Sequence, residues 1–241
     1  MTVLASAAQA VLTVFAAASL HSAFPELGKQ FEAAHPGVSV RFDFDGSQIL
    51  ETQVAQGAQA DVFASADQRW MDKATTDGLV RARVQFATNT LVIVAGSSSG
   101  VGTPQDLTRS GLKIVLCADA VPCGRYAHQT LEKMDSEPAF GKGYAAAVSH
   151  NVVSEEQNVE DVLAKVNLGE ADAGIVYRTD TVGRASVKVI DLPSQDQPSI
   201  VYPMASVTKS SSPDLANAFV AFVRSPQGQA ILKKFGFGPA P

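Results

Sequence analysis

Along almost the whole chain, a short apolar run gives way to a segment with helical spacing and then to another apolar run. "VLTVFAAAS", Val11 to Ser19, is continuously apolar, as in a strand covered on both faces. Behind it Leu20, Phe24, Leu27 and Phe31 recur at helical spacing. Pro25 marks either the start of the main helix or a kinked first turn. "VSVRFDF" sets Val38, Val40, Phe42 and Phe44 against Ser39, Arg41 and Asp43, a strand with one polar side. A helix opens at Ser47, a good N-cap residue. There follow strand "DVFAS", a helix ending near Gly78, strand "KIVLC", a helix from Pro122, strand "NVVS", helix "VEDVLAKVNLG" and strands "ADAGIVY" and "VKVIDL"; two helices close the chain. This alternation predicts an α/β architecture, with mainly parallel sheets flanked by helices.

Two long apolar stretches, 86–95 and 200–207, stand on either side of the middle section. Read as crossover strands, they divide the molecule into two lobes. One holds both chain ends, 11–87 plus 203–241; the other, 88–202, is a continuous insert. A chain of 241 residues, 46% of them hydrophobic, is long enough to bury such cores. The cleft between two lobes is a natural ligand site.

The formal charge of −5 argues against a nucleic-acid or anionic-membrane partner. Residues 1–10 are small and apolar without a basic start and end in Ala8-Gln9-Ala10, the small-x-small pattern of a signal-peptidase site. They read as the remnant of a leader, which makes the protein exported. The stretch is too broken by Thr, Ser and Gln to span a bilayer.

The residues assemble no catalytic constellation, and the chain reads as a binding protein rather than an enzyme. His21, His35, His128 and His150 are scattered, read as solvated, and lack metal-ligand spacing. Cys117 and Cys123 do not form a Cys-x-x-Cys redox pair. There is no phosphate loop and no Gly-x-Ser-x-Gly elbow. What does recur is a strand running into a small or polar residue and then a helix start: Ala18-Ser19, Gly46-Ser47, Pro122-Cys123 and Asn158-Val159. Each start presents free N–H groups carrying partial positive charge. In parallel α/β folds such ends collect at one edge of the sheet, and several around one cleft make an anion site without Lys or Arg. The competing account is ordinary capping, worth about 1 kcal/mol per helix.

"LTVFAAASL", "GS" before a helix, "ADVFASADQRWMD", "VPCGRYA" and "ADAGIVY", in this order and spacing, resemble the periplasmic molybdate-binding proteins of ABC importers over nearly the whole chain from Val11. The resemblance implies a two-lobed periplasmic-binding-protein fold of the second type, an extracytoplasmic monomer that hands molybdate or tungstate to an ABC permease without any cofactor. It also implies a ligand set of neutral donors: the hydroxyl and N–H of Ser19 and of Ser47, the N–H groups of Cys123 and Val159, and the phenol of Tyr177. Sulfate is the alternative oxyanion, since it too is a dianion and only cavity size can exclude it. Monohydrogen phosphate brings a proton that needs an acceptor. The chain departs from the family pattern at Asp45 and Gln48, in "DGSQ", and Asp45 adds negative charge beside an anion site. An exported chain also favours a Cys117–Cys123 disulfide, which would stiffen the loop ahead of Cys123.

Overall fold

A computed structural model describes residues 10–241; the leader expected at residues 1–10 lies outside them but for Ala10, which opens the first strand. In chain order the elements are β1 (Ala10–Ala17), α1 (Phe24–Ala34), β2 (Val38–Asp45), α2 (Ser47–Ala55), β3 (Val62–Ala64), α3 (Gln68–Thr76), β4 (Val80–Asn89), β5 (Leu91–Gly96), β6 (Ile114–Cys117), α4 (Pro122–Met134), α5 (Tyr144–His150), β7 (Val152–Glu156), α6 (Val159–Asn167), β8 (Ala173–Tyr177), β9 (Val187–Asp191), β10 (Ile200–Val207), α7 (Pro213–Arg224) and α8 (Pro226–Lys234).

The strands form two five-stranded sheets, ordered β2-β1-β3-β10-β4 and β7-β6-β8-β5-β9. β1 runs parallel to β2 and β3, and β6 parallel to β7 and β8. One strand in each sheet is reversed: β10 against β3 and β4, β5 against β8 and β9. The apolar stretch around 86–95 is two strands rather than one. β4 ends at Asn89 in the first sheet and β5 begins at Leu91 in the second, so the chain changes sheets across Thr90. It returns between β9 in the second sheet and β10 in the first. The protein is therefore a two-lobed α/β molecule with both described ends in one lobe.

In the first lobe α1 and α7 meet through aromatic rings. Phe31 and Phe24 stand edge-on to Phe219 at centroid distances of 5.3 and 6.3 Å, and all three are fully buried. Each such ring contributes roughly 2–3 kcal/mol through burial. Pro25 falls in the first turn of α1, where its missing N–H costs nothing, so the helix starts there instead of kinking. Among the described residues no helix is long and apolar enough to cross a membrane.

Candidate functional site

The strand ends on which the anion reading rests converge. Ser19, Ser47, Cys123, Val159 and Tyr177 line one space between the lobes, about 210 Å³ with its mouth included. Each is at most 4% exposed. A hydrogen bond made there is largely free of competition from water.

Local structure sets what each residue presents. Ser19 lies in a single 3-10 turn, Ala18–Leu20, after β1; α1 does not begin until Phe24. Its Oγ is 2.9 Å from the Tyr202 phenol oxygen. Ser47 is not the N-cap that its position suggested. Gly46 occupies the cap, and Ser47 is the first helical residue of α2. Its hydroxyl caps nothing: Oγ accepts from the Ala66 N–H at 3.0 Å, which leaves the Ser47 proton available to the cleft. Asn158 does follow the capping account, its side chain accepting from the Asp161 N–H at 3.1 Å. Val159 then begins α6, and its N–H has no intrahelical acceptor. In α4 Pro122 takes the first position and carries no N–H, so the first one the helix offers is that of Cys123.

A disulfide joins Cys117, the last residue of β6, to Cys123 across a Cα–Cα distance of 5.9 Å. It ties the strand end to the helix start that carries the Cys123 N–H. A bridge closing so short a loop stabilises by about 2 kcal/mol in the chain-entropy model. Reduction should therefore lower the melting temperature by about 4–8 °C at this chain length. Thiol titration of the unfolded, non-reduced protein should find no free thiol; two titratable thiols would refute the bridge.

Tyr177 ends β8. Its side chain is buried, and its phenol oxygen has no hydrogen-bond partner within the protein. Burial first, then neighbouring Tyr202, holds the phenol far above its ordinary pKa, so it keeps its proton and can only donate to an anion. Behind it the Tyr177 N–H donates to Asp180 Oδ2 at 2.9 Å. Asp180 is fully buried, and burial, reinforced by Glu160, pushes its carboxyl well above the usual range. That shift favours the neutral acid and keeps negative charge away from the cleft.

The lining contains no Lys, Arg or His and a single carboxylate, Asp45. Asp45 Oδ1 accepts from the Gly46 N–H at 2.7 Å and from Asn158 Nδ2, in the other lobe, at 3.4 Å. Its neighbour in the "DGSQ" segment behaves alike: Gln48 Nε2 donates to the Gln157 carbonyl of the other lobe at 2.7 Å. Both departures from the family pattern thus sit where the lobes meet.

Further contacts hold the lobes together. Arg125 on α4 pairs with the buried Asp67 at 2.9 Å, and Trp70 Nε1 donates to the Ala120 carbonyl at 2.9 Å. His21 is not a solvated histidine. It lies half-buried, 3.2 Å from Glu160 and 3.1 Å from Arg184 in the second lobe. Sequence reading missed Arg125 and Asp67, 58 residues apart, and Tyr202, 183 residues from Ser19. No local signal joins such partners. Among the described residues no cluster of His, Cys, Asp or Glu could hold a metal ion directly.

The family profile of bacterial extracellular solute-binding proteins matches residues 12–238. The molybdate-binding protein ModA of Mycobacterium tuberculosis is 45% identical over 230 residues, covering 94% of this chain and 84% of that protein. ModA of Escherichia coli is 33% identical over 240 residues, covering 94% and 88%. In fold, the periplasmic molybdate-binding protein of Azotobacter vinelandii superposes with a TM-score of 0.83 at 21% identity, over 95% of this chain and all of that one.

Proposed function

The chain belongs to the bacterial extracellular solute-binding proteins, and from that premise we propose that it captures molybdate, and tungstate equally, in the cleft between its lobes and delivers it to an ABC permease. It acts as a monomer outside the cytoplasm, performs no chemistry on its cargo, and uses lobes divided near residues 88 and 202. Ser19, Ser47, Cys123, Val159 and Tyr177 hold the oxyanion through hydroxyl, amide and phenol hydrogens.

The observation that carries this reading is the Tyr177 phenol, fully buried without a protein partner in a cleft of donors that holds no cation. A buried polar group left alone costs about 1–3 kcal/mol, which an anionic ligand would recover. The donor set also matches the guest. Molybdate at neutral pH is a dianion with nothing to donate, whereas monohydrogen phosphate carries a proton that most of this lining cannot accept. Closure around the anion would be the signal that the membrane partner reads.

Titration calorimetry against molybdate, tungstate, sulfate and phosphate tests the reading. The two larger dianions should bind tightly and alike, sulfate more weakly, phosphate least. Tighter binding of sulfate than of molybdate would overturn it. Ser47→Ala should weaken molybdate binding at least about tenfold, the loss of one charge-assisted hydrogen bond. An unchanged affinity would remove Ser47 from the site.

A further inference from the structure

Behind Ser19 lies a chain of hydrogen bonds that no contact with the ligand requires. Ser19 Oγ is 2.9 Å from the Tyr202 phenol oxygen, and that oxygen is 3.3 Å from Asn89 Nδ2. Asn89 Nδ2 also reaches Thr179 Oγ1 at 2.9 Å. All of these side chains are buried. The direction of the chain follows from its far end. The Thr90 backbone N–H, which can only donate, lies 2.9 Å from Asn89 Oδ1. The oxygen of that amide must therefore face Thr90, and its NH₂ must face Tyr202 and Thr179. Tyr202 accepts a hydrogen bond from Asn89 and has its own hydroxyl proton to donate. Burial holds its phenol far above the ordinary range, so that proton stays in place. The acceptor within reach is Ser19 Oγ. Ser19, once it accepts from Tyr202, directs its own proton elsewhere, and its place in the lining makes that the cleft.

We propose that Tyr202 and Asn89 are positioning residues that set the polarity of the binding site: they fix the Ser19 hydroxyl as a donor toward the bound oxyanion. The relay rests on the reading of Ser19 as a ligand donor. At Ser47 a backbone N–H, that of Ala66, fills the same role. At Ser19 the task falls to side chains at the two crossings between the lobes. Asn89 is the last residue of β4, immediately before the chain changes sheets, and Tyr202 lies in the returning strand β10.

The test is a set of double-mutant cycles read by molybdate calorimetry, with melting temperatures of the ligand-free proteins as a folding control. Tyr202→Phe keeps the ring and removes the relay. It should weaken binding about five- to tenfold in the otherwise native protein and less than about twofold in a Ser19→Ala background. Asn89→Asp replaces the donor with a carboxylate, which would draw the Tyr202 proton toward itself and turn the Ser19 lone pairs to the anion. It should cost more than Tyr202→Phe, and the excess should shrink once Ser19 is alanine. Equal losses in both backgrounds would overturn the relay alone and leave the oxyanion site standing. A Ser19→Ala protein that binds molybdate like the native one would remove Ser19 from the site, and the relay with it.

Discussion

Tyr177→Phe should weaken molybdate binding by about tenfold to a hundredfold while leaving the ligand-free protein as stable as before, or slightly more so. The two halves of this result have one cause. The phenol oxygen is buried without a protein partner, so without an anion it bears a desolvation cost that phenylalanine does not. With an anion present, it donates a charge-assisted hydrogen bond of about 1.5–3 kcal/mol, and each 1.4 kcal/mol is a factor of ten in affinity. A tyrosine serving only as core would leave the affinity intact, since phenylalanine keeps the buried ring and removes only a hydroxyl without a protein partner. Paired thermal melts and calorimetry of the single variant separate the two.

The second large effect is expected at Gly46. Its φ of −59° and ψ of 139° suit any residue, so alanine is not strained there by the backbone. The obstacle is across the cleft. A Cβ at Gly46 would run into the Gln157 carbonyl oxygen of the second lobe and into the Gln48 amide. The amide can swing away; a backbone carbonyl cannot. Gly46→Ala should therefore fold normally and resist closing. If the closed form falls to about 1% of the population, the apparent dissociation constant rises about a hundredfold. Small-angle scattering with and without molybdate should show the variant failing to compact where the native protein does. Native affinity in this variant would mean that the lobes do not need to come this close to bind.

Much of this architecture can be read along the chain because its signals are local. Apolar runs mark buried strands, Pro25 and Pro122 mark helix starts, and Asn158 is recognisable as a cap. What is hidden depends on partners or on exposure. The first half of β4 is not legible in the sequence because Arg81, Ala82 and Arg83 are exposed and the strand is irregular there, with Ala82 at φ 50° and a register shift opposite Met204 to Ser206. α5, "YAAAVSH", is only seven residues long and buries just Tyr144 and Val148, too little for a helical period to stand out. Ser47 has the residue type of a cap, but the N–H that its hydroxyl accepts from belongs to Ala66, 19 residues on and just past the end of β3. The residues that present the candidate site were thus accessible from motif and order. Those that orient it, Tyr202, Asn89, Asp67 and Arg125, belong to long-range pairs that only the folded chain brings together.

A cradle without Lys or Arg, on a body of formal charge −5, has a consequence for the speed of capture. A doubly negative guest approaching such a surface meets net repulsion and no cationic funnel to draw it in. Dissolved ions screen that repulsion, over a distance of about 8 Å at physiological strength. Association should accordingly quicken as salt is added, the reverse of the behaviour of an arginine-lined receptor.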